Sequence, residues 1–434
     1  MFDPRFIFAL LWTMELVAQW LFGGIFGSFS IETWVVVAIT ILSFLFGAEL
    51  IEATVKQASI KNNYWVNQLE RLFNKDFSSN FIYMSLGAYV IVAAVAVQKI
   101  LAITGVDSSV LRPPECLRLQ VVIDLITDRK IAPFIKLFTF GIAICIFYLS
   151  NIKSNAKFQT YLIIVLGIFC VFATTGRLML LMLFGAVTYL LYAQKVWGLK
   201  EIFFSVLSFV LLFFLIAVVL NKQTADWAKN INPCTSKSCL VYESFEQRKL
   251  GLSPQTQSQP EINSKLSIRD KITWNAQNYF LGSLAAFNHF VTTDSPKIEG
   301  GATLPNILRK IINISGSNIQ MRPAINPYVK TPLESNTYTA MFPIYHDLGK
   351  VGILIWFVLL GMLHQFLYKL SQASTANIYK YLYAISIYPL CMIIFEEAYI
   401  SSLGFWTVFL VTPVILQLLN IGWMKLTTLK AGKH

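Results

Sequence analysis

Charge is what this chain has least of. Of its 434 residues only 13% are Asp, Glu, Lys or Arg, against about 25% in an ordinary soluble domain. There are four histidines and six cysteines, too few for a histidine- or cysteine-rich metal protein. The phosphate-binding Walker loop, the Rossmann glycine pattern, the His-Glu-x-x-His zinc helix and the Gly-x-Ser-x-Gly nucleophile turn are all missing. No polar loop carries an Asp-x-Asp pair for a divalent cation. ATP-driven transport and metal-dependent group transfer therefore have no footing, and no metal or cofactor is expected. A nucleic-acid binder would gather its basic residues on one soluble face. Here the net charge of +12 is dispersed between apolar runs, so no nucleic-acid partner is expected.

Apolar sequence is abundant, at 56% of the residues. It comes in runs long enough to cross ~30 Å of hydrocarbon, which takes roughly 20 helical residues. A backbone in lipid must satisfy its own hydrogen bonds, so these runs read as helices. The expected fold is an all-α polytopic membrane protein with about ten spans: 6–24, 33–50, 80–104, 132–150, 159–174, 178–194, 201–220, 348–369, 379–397 and 404–424. The whole chain, 1–434, reads as a single membrane domain. The first run has neither the basic flank nor the small-residue site of a cleavable signal.

Lysine and arginine orient the spans. Arg5, Lys56, Lys61, Arg71, Lys75, Lys153, Lys157, Lys195, Lys200, Lys369, Lys380, Lys425, Lys430 and Lys433 fall on one side. The short loops opposite hold only Arg112, Arg118, Arg129, Lys130 and Arg177. By the positive-inside rule both termini are cytoplasmic, and the large loop 221–347 between the seventh and eighth spans is outside.

The cytoplasmic loop 51–79 carries Trp65, Leu69, Leu72 and Phe73 at helical spacing, as a surface amphipathic helix or a solvated linker would. In the outer loop, 221–262 is polar. It holds Cys234 and Cys239, which favour a disulfide outside the cell over a zinc site that only His289 or His346 could help complete. Cys145, Cys170 and Cys391 lie in apolar spans, and Cys116 has no evident mate. A capping-box pattern at Ser267–Asp270 opens a helix with Ile268, Ile272, Tyr279, Phe280, Leu284 and Phe287, expected to lie on the outer face of the bundle. A short helix is expected near 304–312, and 321–332, with three prolines, should be extended.

The polar residues at the outer membrane face are the candidates for chemistry. Arg177 follows a tight turn and opens an apolar span. It reads equally as a phosphate clamp or a snorkelling boundary residue. The stretch from Asn336 to Gly352 gathers Tyr338, Thr339, Tyr345, His346 and Asp347. Asp347 is a base or a helix cap. Gly349, Gly352 and Gly361 read as packing residues, and Glu396 and Glu397 as ion-pair partners or span ends.

The segment Asn336-Thr-Tyr338-Thr339-Ala-Met-Phe-Pro-Ile-Tyr345-His-Asp347-Leu-Gly349-Lys-Val-Gly352 resembles the Wzy-type oligosaccharide repeat-unit polymerases of bacterial O-antigen and capsule. Three further stretches share that resemblance: Thr174-Thr-Gly176-Arg177, Asn278-Tyr279 through Phe287-Asn288, and Gly300-Gly-Ala-Thr303-Leu-Pro305. The related O-antigen ligases carry a histidine, a polar residue, nine residues, Gly, two residues, then Gly or Thr. Counting back from Gly349 and Gly352 puts Tyr338 where that histidine belongs, which argues against ligase and against an imidazole base at that position.

The resemblance implies a GT-C-like, ligase-related architecture in the bacterial inner membrane. It implies a metal-independent glycosyltransferase of lipopolysaccharide assembly that moves a glycan from undecaprenyl diphosphate onto a new lipid-linked repeat. Partners would be that lipid-linked oligosaccharide, membrane lipid, a Wzz-type chain-length regulator and a flippase. In that scheme Arg177, with Arg322 and Arg309 behind it, neutralises the diphosphate. Asp347 takes the acceptor proton, and Tyr279, Asn336, Tyr338, Thr339 and Tyr345 hold sugars. The rival readings are an O-antigen ligase or another lipid-linked glycosyltransferase, a lipid-linked sugar transporter, and a non-catalytic scaffold.

Overall fold

The computed structural model describes residues 2–22, 27–56, 63–73, 77–104, 130–152, 157–174, 177–207, 209, 268–293, 303, 311–312, 314–316, 329–331, 333–335, 337–400 and 402–431. The described chain is helical apart from a short hairpin. Its helices are α1 (Pro4–Phe22), α2 (Ile31–Thr54), α3 (Tyr64–Phe73), α4 (Ser79–Thr104), α5 (Ala132–Asn151), α6 (Lys157–Ala173), α7 (Arg177–Ala193), α8 (Ile268–Thr293), α9 (Met341–Ala373), α10 (Asn377–Met392) and α11 (Leu403–Ala431). The hairpin pairs β1 (Val329–Thr331) with β2 (Leu333–Ser335), antiparallel, with Val329 opposite Ser335.

Among the described residues five helices are long and apolar enough to cross a bilayer: α2, α4, α5, α9 and α11. Shorter apolar helices at Phe158–Ala173 and Met179–Ala193 accompany them. Leu42, Phe46, Ile91, Val165, Phe172, Leu418 and Leu419 point outward from the bundle. So much exposed apolar surface is stable only against lipid, and the protein is an all-α, multi-pass membrane protein.

The central pair is α2 with α9. Glu32 meets Lys350 at one end, and Glu52 meets Gln365 and Lys369 at the other, so the two helices run parallel. Glycine permits their close approach. A Cβ on Gly361 would lie 2.1 Å from the carbonyl oxygen of Phe44, and one on Gly47 would lie 2.1 Å from that of Val358. Parallel spans require an odd number of crossings between them. The described chain offers α4, α5, α6 and α7. Residues 199–207 begin another helix.

The bundle has two distinct ends. At one, Tyr383 donates to the Phe2 carbonyl, Arg5 pairs with Glu49 at 2.7 Å, and Tyr189 bonds Ser371 at 2.8 Å. Lys369 Nζ donates to the carbonyls of Glu52 and Val55 at 2.8 Å each, closing the C-terminus of α2 where a cation is favoured. Helix α3 lies here too. Its Ser374–Glu70 contact faces the protein, while Trp65, Leu69 and Leu72 are exposed, the distribution of a helix resting on a membrane surface.

The opposite end holds the start of α2, the middle of α8, the start of α9 and the segment after α10. The second half of α8 packs into this end, with Leu281, Leu284, Ala286 and Phe287 wholly buried. Three expectations change there. Helix α10 stops at Met392, short of the expected 397, and 393–400 is a non-helical segment in which Ile393, Glu397 and Ala398 are buried. Such backbone survives at membrane depth where protein encloses it. Helix α9 begins at Met341, earlier than the expected 348. Gly349 is a kink rather than a packing contact, with φ 60° and ψ −154°, and a Cβ on Gly352 would meet its own helix at Leu348. Of the three glycines, Gly361 is the one packed on a neighbouring helix.

Candidate functional site

The site grows from the N-terminus of α2. Ser30 caps the helix, its hydroxyl accepting from the Thr33 amide at 3.1 Å. Glu32 follows in the first turn, where the helix dipole favours a carboxylate. Asn288, from the buried half of α8, accepts from the Ser30 amide at 2.8 Å and from the Thr33 hydroxyl at 2.9 Å. One side-chain amide thus ties the large loop to the transmembrane core.

The start of α9 lies across from this cap. The Tyr345 hydroxyl donates to Glu32 Oε1 at 3.0 Å, and Lys350 Nζ reaches the same oxygen at 2.9 Å. Between them sits Asp347, 1% exposed. Its Oδ2 accepts from the Thr303 amide at 2.6 Å and from the Thr303 hydroxyl at 2.5 Å. Its Oδ1 is 2.7 Å from His346 Nδ1. A carboxylate only accepts, so Nδ1 carries the hydrogen, and in the neutral imidazole Nε2 is then the nitrogen with the lone pair. The His346 side chain is 21% exposed while that of Asp347 is sealed.

Aromatic rings hold the imidazole. His346 stacks on Phe290 at 5.5 Å and meets the edge of Phe342 at 5.9 Å. Tyr338 stacks on Phe342 at 4.3 Å. Burial pushes the Tyr338 phenol up to about 12, so it stays a neutral hydrogen-bonding group. Thr339 is buried, and its hydroxyl has no partner among the described residues. The Ala340 amide donates to the Ile393 carbonyl at 2.9 Å, joining this end of α9 to the non-helical segment after α10.

Of the residues singled out in the sequence, the structure brings Tyr338, Thr339, Tyr345 and Asp347 together. Arg177 opens α7, but its side chain lies outside the described residues. Its backbone can be placed by register. Tyr189 rests on Tyr383 at 4.8 Å, and a Cβ on Gly185 would lie 3.3 Å from Ile387. Followed along the two antiparallel helices, this register sets the start of α7 toward the end of α10 at Met392, the end of the bundle that carries Asp347. Tyr279 belongs to α8, with its side chain outside the described set. Asn336, Arg322, Arg309, Cys234, Cys239, Cys116 and 304–310 also lie outside it. Among the described residues no group of His, Cys, Asp and Glu is placed to hold a metal.

Sequence reasoning passed over Glu32, Lys350 and His346 as site residues. Glu32 is not among the residues singled out from the sequence, and Lys350 stands there only inside the segment from Asn336 to Gly352. His346 is named there beside Asp347 and as a possible zinc ligand, not as a base. Thr303 and Asn288 did lie in stretches that carry the family resemblance, which was the available signal.

No protein-family model matches the chain, and no solved structure matches it. The chain is similar to an O-antigen polymerase of Shigella dysenteriae, 26% identical over 224 residues, which cover 48% of this chain and 55% of that protein. It thus spans about half the length of the curated relative it matches. This similarity supports the resemblance to the Wzy-type polymerases carried by the segment from Asn336 to Gly352.

Proposed function

We propose that this protein polymerises a surface polysaccharide, transferring a growing glycan from undecaprenyl diphosphate onto a new lipid-linked repeat unit at the periplasmic face of the inner membrane. The observation that carries this reading is the His346–Asp347–Thr303 cluster at the membrane-surface end of α9. The similarity to an O-antigen polymerase accords with it.

In this reading the acceptor hydroxyl attacks the anomeric carbon of the donor. Its proton passes to His346 Nε2, the bond from the anomeric carbon to the diphosphate oxygen breaks, and undecaprenyl diphosphate leaves. Asp347 acts as the positioning residue: it holds the imidazole with Nε2 unprotonated and stabilises the cation formed, as a buried carboxylate does for a catalytic histidine. The sequence suggested Asp347 as the base. His346 suits the task better, because Asp347 already accepts on both oxygens and is closed to solvent. Arg177 would meet the charge developing on the diphosphate with its fork of donors. No metal is required in this scheme, since the donor is already activated. A Wzz-type regulator and a flippase are the partners such a reaction would need.

The test is deletion of the protein in its host, followed by a gel of the surface polysaccharide. Retention of single-repeat material with loss of the ladder supports a polymerase. Loss of every repeat would indicate a ligase, a flippase or an earlier step.

A further inference from the structure

Helix α1 carries a buried acid that the scheme above does not use. Glu15 is 1% exposed, and neither of its carboxyl oxygens has a hydrogen-bond partner among the described residues. Trp12 and Gln19 lie one turn either side on the same face of α1. The Trp12 indole nitrogen and the Gln19 amide oxygen are likewise buried and unpartnered among the described residues. A carboxyl in the interior of a membrane bundle is costly unless something meets it.

The register of the helices shows where this face looks. Phe8 stacks on Phe44 at 3.9 Å, and Arg5 pairs with Glu49, so α1 runs antiparallel to α2. One turn outward from Phe8 and Phe44, Trp12 is level with Thr40. The Thr40 hydroxyl is fully buried and has no partner among the described residues. On α9, Phe357 lies 6.5 Å from Phe8, and the adjacent Trp356 has an indole nitrogen in the same condition. Helices α1, α2 and α9 thus bury five unsatisfied polar residues over about two turns of the bundle, from Gln19, level with Thr33, to Trp12, level with Thr40. Trp12 and Trp356 pack within the same cluster as Phe287, Tyr338 and Tyr345 of the candidate site.

We propose that Glu15, with Trp12, Gln19, Thr40 and Trp356, forms a saccharide-binding subsite beneath the His346–Asp347 pair. Ring hydroxyls would donate to the carbonyl oxygen of the Glu15 carboxyl and to the Gln19 oxygen. The indole nitrogens would donate to ring oxygens, and the indole faces would offer apolar surface to a sugar. Concentrated, preplaced and unsatisfied polar groups are what a hydroxyl-rich ligand completes and what a tightly packed apolar core avoids. The assignment rests on the polymerase reading for the identity of the saccharide.

The test uses the full-length protein in nanodiscs, with lipid-linked single repeat unit extracted from the host deletion strain as the probe. Variants Glu15→Gln, Glu15→Leu and Asp347→Asn are compared with wild type for probe affinity, heat stability without probe, and ladder formation in cells. Glu15→Gln should weaken binding several-fold and Glu15→Leu by about tenfold or more, as loss of one or two buried hydrogen bonds does. Both should melt no lower than wild type, because they relieve an unpaired buried carboxyl. Asp347→Asn should bind the probe normally and make no ladder. If Glu15→Gln binds within twofold of wild type, or if both Glu15 variants melt markedly lower, the subsite is overturned and Glu15 is structural. If wild type itself neither binds the probe nor supports the ladder, the polymerase reading falls and the saccharide assignment falls with it.

Discussion

His346 and Asp347 are sequence neighbours, yet one is partly open to solvent and the other sealed, with Nδ1 of the first 2.7 Å from Oδ1 of the second. This asymmetry divides their roles. Asp347→Asn keeps the shape and can still accept from Thr303, but its amide would then donate toward His346 Nδ1. That forces the hydrogen onto Nε2 and removes the lone pair facing the acceptor. Polymer should fall by about a hundredfold or more, the scale of general-base catalysis, while the protein level in membranes holds. His346→Gln should do the same. A normal ladder from Asp347→Asn beside a lost one from His346→Gln would leave Asp347 no positioning role.

Gly349 sits two residues from Asp347 in a backbone conformation that favours glycine, φ 60° and ψ −154°. Gly349→Ala should cost about 1–3 kcal/mol of stability. It should cost activity out of proportion, because straightening the kink draws Asp347 away from Thr303. Melting temperature and ladder length measured on the same preparation separate the two effects.

Gly361 and Gly404 make a matched pair within long helices. A Cβ on Gly361 would collide with the Phe44 carbonyl, whereas one on Gly404 meets nothing within 4 Å. Gly361→Ala should therefore destabilise by about 1–3 kcal/mol, the usual cost of overpacking. Gly404→Ala should change stability by no more than about 0.5 kcal/mol. Equal melting temperatures for the two variants would contradict the close approach of α2 and α9.

The two lysine–glutamate contacts at the ends of that helix pair should differ in worth. Lys350 and Glu32 are both well exposed, with side chains 46% and 38% accessible, so Lys350→Met should cost less than about 1 kcal/mol. Lys369 is 10% exposed and also satisfies two carbonyls of α2. Lys369→Met leaves those oxygens unpaired and should cost about 1–3 kcal/mol. Thermal unfolding in one detergent ranks the two.

The proposed orientation has its own test. A single cysteine at position 430, in a background without native cysteines, should resist an impermeant maleimide in intact spheroplasts and react after lysis. In the native chain, Cys234 and Cys239 should be bridged and refuse alkylation until reduced. Labelling of position 430 from outside would invert the topology.

The sequence by itself determined that this is a helical membrane protein, and nearly where its helices lie. Hydrocarbon imposes one local requirement on every crossing, a continuous apolar run whose backbone bonds are internal, and such a run is visible without knowing its neighbours. The expected 132–150 is α5 at Ala132–Asn151, and the expected 178–194 is α7 at Arg177–Ala193. What failed was local too: a run of apolar residues could not show that α10 stops at Met392, because the enclosed non-helical segment after it depends on what surrounds it. The candidate site was legible only in part. Asp347 and Tyr345 could be picked out because they are polar residues at a span boundary. Their partners could not: Glu32 bonds Tyr345 from 313 positions away, and Asn288 reaches Ser30 across 258. Contacts over such separations leave no periodicity or spacing in the chain. Tertiary structure alone decided that Asp347 meets Thr303 as well as His346, that Gly349 bends where Gly361 packs, and that Glu15 is buried without a mate among the described residues. Each of these depends on which surfaces the bundle presses together, and helix packing in lipid is set by shape and a few hydrogen bonds rather than by the hydrophobic pattern that marks the spans.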